Sequence, residues 1–353
     1  MALAIIPLST MRERLRAVLR GTPHDRVPLI QYEKLLPRDE VERLLGPGRI
    51  GFLRWCRACR VEHPNCRMVA EPAEIDGRRG ERVRLHTPKG TLVRETVHEP
   101  TYGTGASHKH YVEDIPDYDK LDAYLEDAVF IFDRTEYDKA LAELGEDGLP
   151  LLAVCRTPWQ QLWIQWVSLE NLCWHFAEHE DRVMRTISLL ERELRAHFDC
   201  VCKLRPDLVD FPDNITAQAT GRARFEQFCL PYYQELSGRM ADMETPVFCH
   251  MDGNLKPIAD LIGRSGLRGL DSFSPQPDND TSVAEAAAMW PEMRLFTNFP
   301  SSVHLMEPEQ VRGHARAILE QGGRTGRLEI QFSENVPPFA WRRSLPVIAE
   351  EIE

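Results

Sequence analysis

Apolar residues in the second half of the chain come in short runs, and each run is followed by a longer stretch with helical periodicity. The runs lie at 208–211, 247–251, 268–273, 295–299 and 328–332, and the periodic stretches at 222–240, 256–263, 282–290, 308–321 and the C-terminus. Short apolar runs read as buried strands, and apolar positions at i, i+3, i+4 and i+7 read as amphipathic helices. The first half is less regular. Ser9-Thr10 caps a short helix at 11–19, ended by Arg20-Gly21-Thr22-Pro23, and an apolar strand at 27–31 follows. Helices are predicted next at about 37–45 and 50–61, then at 118–125 and 136–144, before a buried strand at 149–154. An aromatic helical tract at 157–166 aligns Trp159, Trp163 and Trp166 on one face, and a long charged helix spans 181–198. Between these, residues 82–97 alternate like a β-hairpin around Pro88-Lys89-Gly90. The repeated strand–helix units, with the two earlier strands and one strand left unplaced, predict a (β/α)8 TIM barrel. The expected layout is a single barrel domain over residues 1–353, with an N-terminal helical extension and an inserted hairpin or lid region at about 66–115.

Composition narrows the function. The chain has 353 residues, 42% hydrophobic and 28% charged, enough for a sizeable core. Its formal net charge of -12 argues against nucleic acid and against an anionic membrane surface as partners. No apolar run approaches the ~18–20 residues that span a bilayer. The opening segment 1–8 lacks a basic region and is too short for a signal peptide's apolar core. Nine cysteines, an odd number without a disulfide-like framework, fit a reducing compartment, so the protein is expected to be cytoplasmic.

In a TIM barrel, polar residues at the carboxyl ends of strands carry the chemistry. Those ends hold Tyr32 and Glu33, Asp213 and Asn214, His250, Asp252 and Asn254, Asp271, Asn298, and Glu334. The stretch Val247-Phe248-Cys249-His250-Met251-Asp252-Gly253-Asn254 is the most pointed of them. Side chains alternate along a strand, so His250 and Asp252 project to one side, and Cys249 and Met251 to the other. An imidazole and a carboxylate so placed suit metal binding or proton transfer. Two other groups read as structural. Cys56-x2-Cys59-x3-His63-x2-Cys66 would fall on one face of the helix predicted at 50–61 and its extension. A straight helix spreads that set over ~15 Å, so it reads as a buried cysteine stripe rather than a zinc site. His108-x-His110-Tyr111, near Tyr102-Gly103-Thr104-Gly105, reads as a solvated loop or a lid.

Three segments resemble the uroporphyrinogen decarboxylase-like superfamily. They are Met11-Arg12-Glu13-Arg14-Leu15 through His24-Asp25-Arg26-Val27-Pro28-Leu29, then Phe228-Cys229-Leu230-Pro231-Tyr232-Tyr233-Gln234-Glu235-Leu236, and His250-x-Asp252-Gly253-Asn254. The resemblance covers nearly the whole chain and implies a TIM barrel. In the decarboxylase branch it implies arginines after the first strand, where this chain has Gln31-Tyr32-Glu33-Lys34, and a histidine on the last strand, where it has Phe332-Ser333-Glu334-Asn335. In the corrinoid-linked methyltransferase branch it implies a zinc site of one histidine and two cysteines. By position His250 matches the histidine, Asp252 falls on the first cysteine, and Glu334 lies nearest the second; no cysteine follows Cys249.

The resemblance therefore implies a corrinoid-dependent methyltransferase that demethylates a small methylated compound, such as a methyl ether. Zinc would be held by His250, Asp252 and Glu334, with Tyr32, Glu33, Asp213 and Asn298 orienting substrate or relaying a proton. Its partners would be the methyl donor and a corrinoid protein carrying cobalamin, with a homodimer as a further expectation. Two rivals share the same residues: a metal-dependent lyase or decarboxylase acting on a small organic acid, and a barrel that binds a ligand without turnover.

Overall fold

A computed structural model describes residues 9–101 and 104–353. The opening segment 1–8 and the pair Tyr102-Gly103, on which the leader and lid readings partly rest, lie outside the described residues. The strands are β1 (Leu29–Tyr32), β2 (Gly51–Cys56), β3 (Cys59–Glu62), β4 (Arg67–Ile75), β5 (Arg78–Thr87), β6 (Gly90–Glu99) and β7 (Thr104–Lys109). They continue with β8 (Val129–Phe132), β9 (Gly148–Ala153), β10 (Val209–Phe211), β11 (Val247–His250), β12 (Gly269–Phe273), β13 (Arg294–Asn298) and β14 (Leu328–Phe332). The described residues divide into two compact units: those within 9–58, 134–153 and 204–353 form one, and those within 59–101, 104–133 and 154–203 the other.

The first unit is the predicted (β/α)8 barrel. Eight parallel strands close in the order β1-β14-β13-β12-β11-β10-β9-β2. The strand left unplaced by the sequence is β2, in the segment predicted as a helix at 50–61. Phe52 and Leu53 are both fully buried there, and Arg54 is held by Glu33 and Glu143. A strand buried on both faces shows no clean alternation, and a short break at Arg57-Ala58 joins it to β3, so the two strands together mimic one helix in length. The cysteine stripe dissolves with that helix. Cys56 lies on β2, Cys59 on β3, and His63 and Cys66 beyond them, with the His63 ring stacked on Tyr124 at 3.8 Å.

The barrel interior is layered. Its lower layer is apolar: Ile30, Leu53, Leu149, Leu208, Phe248 and Phe296 pack together, with Phe248 and Phe296 edge to face at 4.7 Å. Leu15, Val18 and Leu19 of the helix Met11–Arg20 join this cluster. Thr10 and Glu13 form a capping box at the start of that helix, and Gly21, at φ 64°, ends it in the left-handed conformation.

The N-terminal motif behind the family resemblance has a structural reason. Arg14 clamps Asp25 through two parallel bonds of 2.8 and 2.7 Å, with their side chains only 5% and 14% exposed. The guanidinium holds the Asp25 carboxyl down at about 2, against burial that pushes it up. Replacing one partner strands the other in a low-dielectric setting, so Asp25→Ala should destabilise the protein by on the order of 3 kcal/mol at neutral pH. The folded carboxyl is depressed, so this stability is fully present above the unfolded value of 3.8 and is lost as pH falls through about 2. Urea unfolding across that range should show wild type and variant converging at the acid end. A gap unchanged at pH 2 would mean that the pair is not its source.

The second unit carries two sheets. β4-β5-β6-β7 form an antiparallel meander, and β3 pairs antiparallel with β8. The predicted hairpin at 82–97 is the β5–β6 pair, closed where Thr87 faces Gly90. It contains the long helix Glu180–Leu204 up to Lys203, and the aromatic tract begins as the turn Pro158–Gln161 and continues as a π-helix over Leu162–Trp166. A π-helix holds an extra residue per turn, so the regular spacing that would put the three tryptophans on one face does not hold here; Trp159 and Trp166 are buried and Trp163 only partly so.

Among the described residues no helix is long and apolar enough to cross a membrane.

Candidate active site

The site sits in the upper layer of the barrel, where strand alternation turns His250 inward directly above Phe248. Cys249 faces the other way, fully buried, with its thiol 3.4 Å from the Tyr233 hydroxyl. After the strand, the backbone from Met251 to Asn254 is pinned by hydrogen bonds: Met251 N–H donates to Asp271 O at 3.0 Å and Gly253 N–H to Ile215 O at 3.2 Å. Gly253 is required by that close approach, since a Cβ there would lie 2.2 Å from the Thr216 Cβ.

His250 is 7% exposed and both of its ring nitrogens face carboxylates. Nδ1 lies 3.1 Å from Asp271 Oδ2 and 3.1 Å from the Tyr32 hydroxyl. Nε2 points to the mouth, 3.7 Å from Asp252 Oδ2 and 3.5 Å from Glu334 Oε1. Asp271 is fully buried and serves as the hub: Oδ2 accepts from Tyr32 and from His250, and Oδ1 accepts from Gln331 Nε2 at 3.1 Å. A carboxylate cannot donate, so Asp271 holds the proton on Nδ1 and leaves Nε2 facing the two outer carboxylates.

The electrostatics follow from burial and from this acidic ring. Burial would lower the His250 pKa, but hydrogen bonds to Asp252, Asp271 and Glu334 together outweigh it and push it well above the usual imidazole value. Tyr32 is pushed well above the normal phenol range by burial and then by the charge of Asp271. Glu329, fully buried one interior position below Gln331, has neither carboxylate oxygen hydrogen-bonded. Burial, and after it the charge of Asp271, raise its pKa far above the carboxylate range, so it stays protonated.

Glu334 is positioned by its neighbours. Ser272 Oγ donates to its Oε1 at 2.9 Å and meets Ser333 Oγ at 2.6 Å. Ser272 has φ 55° and lies where the β12–β13 register shifts. A bulge breaks the alternation, so Asp271 and Ser272, consecutive in sequence, both serve the site. Asn298 Oδ1 accepts from Ser333 N–H at 3.2 Å and Glu334 N–H at 3.3 Å, which fixes the exit of β14.

The sequence-predicted residues thus separate. Tyr32, His250, Asp252 and Glu334 come together, and Asn298 stands behind Glu334 as a positioning residue. Glu33 does not join them: it is tied to Arg54. Nor does Asp213, whose Oδ2 accepts from Tyr233 at 2.6 Å. Asp271 appeared only as one strand end among many in the sequence, and the roles of Gln331 and Ser272 were not visible there. The alternation of Glu329 and Gln331 along a buried strand was the available signal for a polar interior.

Three donor atoms, one each from His250, Asp252 and Glu334, lie within 4.8 Å of one another. This set fits a divalent cation on three counts. The donors are one imidazole nitrogen and two carboxylates, a legitimate set for zinc. The other ring nitrogen is held by a buried carboxylate, the arrangement that orients metal-bound histidines. Asp252 and Glu334 are 25% and 34% exposed, so the donors open towards solvent while the ring does not.

The chain matches the uroporphyrinogen decarboxylase (URO-D) family over residues 98–331. Among solved structures it is similar to a methyltransferase from Methanosarcina mazei, with 13% identity, a TM-score of 0.57, and coverage of 97% of this chain and 98% of that one. A B12-independent methionine synthase from Shewanella sp. W3-18-1 in complex with selenomethionine aligns at 10% identity and a TM-score of 0.39, over 83% of this chain and 76% of that one. No curated protein matches the chain.

Proposed function

We propose that this chain, which belongs to the uroporphyrinogen decarboxylase family, is a methyltransferase that demethylates a small methylated compound and passes the methyl group to the cob(I)alamin of a separate corrinoid protein. The observation that carries the reading is the convergence of His250, Asp252 and Glu334 at the barrel mouth, with the far side of the ring fixed by Asp271. Family membership supports it, and the barrel shared along its full length with a methyltransferase is consistent with it.

Charge favours a neutral substrate. Asp252, Asp271 and Glu334 crowd one imidazole, and a polycarboxylate entering that ring meets like charges. A neutral donor such as a methyl ether meets no such barrier. The same argument disfavours a lyase acting on a small organic acid. Zinc bound by His250, Asp252 and Glu334 would supply a Lewis acid for the ether oxygen. The transfer would break the methyl–oxygen bond and pass the methyl group to the reduced corrinoid, while the oxygen would keep the bonding pair and take up a proton from solvent. The chain's own residues set the stage: Asp271 fixes the ring, Ser272 and Asn298 fix Glu334, and Tyr32 against Trp55, 5.4 Å apart, walls the interior side.

Incubating the protein with a reduced corrinoid protein and a panel of methyl donors tests the reading. Methylcobalamin formation is the expected result. Product without corrinoid would replace it with the lyase, and binding without turnover with a ligand-binding barrel. Asp271→Asn should keep the size of the hub but weaken its grip on Nδ1–H, and zinc affinity should fall by roughly 10–100-fold. An unchanged affinity would show that Asp271 does not orient a ligand.

A further inference from the structure

The second unit holds a cluster that the barrel chemistry does not use. Cys155, Glu193 and His197 each offer one ligand atom, and the three atoms lie within 4.8 Å of one another. Glu193 and His197 are one helical turn apart on Glu180–Leu204, so both project from the same face. Cys155 comes to that face from the segment that follows β9. His197 is 2% exposed and Glu193 is half-buried. Gln161, itself 3% exposed, donates to Glu193 Oε2 at 3.2 Å and steadies the carboxylate.

We propose that Cys155, Glu193 and His197 form a second metal site, for zinc. The rival reading is a thiol–imidazole–carboxylate relay, in which the sulfur and the carboxylate bond to opposite nitrogens of the ring. Here one sulfur, one ring nitrogen and one carboxylate oxygen lie within 4.8 Å of one another, a spacing that a shared ion can draw together. A thiolate, an imidazole and a carboxylate are each accepted zinc ligands, and three protein ligands leave a fourth position for water. Binding converts the Cys155 thiol to thiolate and releases its proton to solvent, forming the sulfur–zinc bond. Bound there, zinc ties the segment after β9 to the long helix.

Sulfur separates this site from the one in the barrel, whose donors are nitrogen and oxygen only. Cobalt(II) added to the full-length His250→Ala variant should therefore still give a near-ultraviolet thiolate-to-cobalt charge-transfer band, saturating at one equivalent. Adding Cys155→Ser should abolish that band, and adding His197→Ala should weaken cobalt binding at least tenfold. Absence of the band in His250→Ala overturns the proposal. So does its survival in the Cys155→Ser background, including survival that is lost only when Cys59 or Cys200, which share a hydrogen bond, is also replaced. Should Cys155→Ser fail to fold, Glu193→Gln decides in its place: a cobalt affinity unchanged from the parent overturns the proposal, and a drop of at least tenfold supports it.

Discussion

His250→Ala should lose methyl transfer by three orders of magnitude or more, on the order of 4 kcal/mol of transition-state stabilisation, while the protein remains folded. The activity loss follows from the position of the ring, which links the buried hub to the two carboxylates at the mouth. Without it, neither a cation nor a proton can be held where Nε2 now stands. The stability loss should stay under ~2 kcal/mol, because the ring lies above the packed layer rather than within it. Asp271 keeps Tyr32 and Gln331 as donors after the change, and Asp252 and Glu334 can turn to water. Thermal melts and turnover measured on one preparation decide the matter. A variant that unfolds outright would make His250 a structural residue and remove the basis of the proposed site.

Much of this architecture was legible because barrel strands and their helices repeat. The runs at 247–251, 295–299 and 328–332 could be read as strands from short apolar segments followed by helical periodicity, and the strand-end rule then pointed to His250, Asn298 and Glu334. What was not legible depended on contacts distant in sequence. β2 carries apolar residues on both faces, so its period is hidden, and Arg54 gives no hint that Glu33 is its partner. Glu33 and Asp213 look like site residues for the same reason as Asp252, and only their partners Arg54 and Tyr233 show that they are occupied elsewhere. The role of Asp271 follows from β1, β11 and β14 each bringing one side chain to the same carboxylate, and a one-dimensional reading cannot see which strand ends meet. The bulge at Ser272 is less visible still, because a serine at positive φ has no sequence signature of its own.

Exchanging both carboxylates for thiolates, Asp252→Cys with Glu334→Cys, should tighten zinc binding by at least tenfold, about 1.4 kcal/mol. Oxygen donors leave zinc more exchangeable and more electrophilic, which suits polarising an ether oxygen, whereas sulfur holds the ion more selectively and quenches its charge. Turnover should therefore fall as affinity rises. Most of the gain should come from Asp252→Cys. A thiol sulfur reaches one bond beyond Cβ, close to where the aspartate donor begins, but it stops well short of the Glu334 carboxylate, so residues 333–335 must shift inward for the second cysteine to bind. Ser272 and Asn298 hold that segment and oppose the shift. Competition with a chelator is the measurement, made in a Cys155→Ser background so that the cluster in the other unit does not contribute. If neither the parent nor the double variant retains zinc, His250 and its carboxylates handle protons rather than a metal. The raised pKa of His250 would then mark it as the general acid of a metal-free reaction, and the methyl donor would have to be activated by protonation.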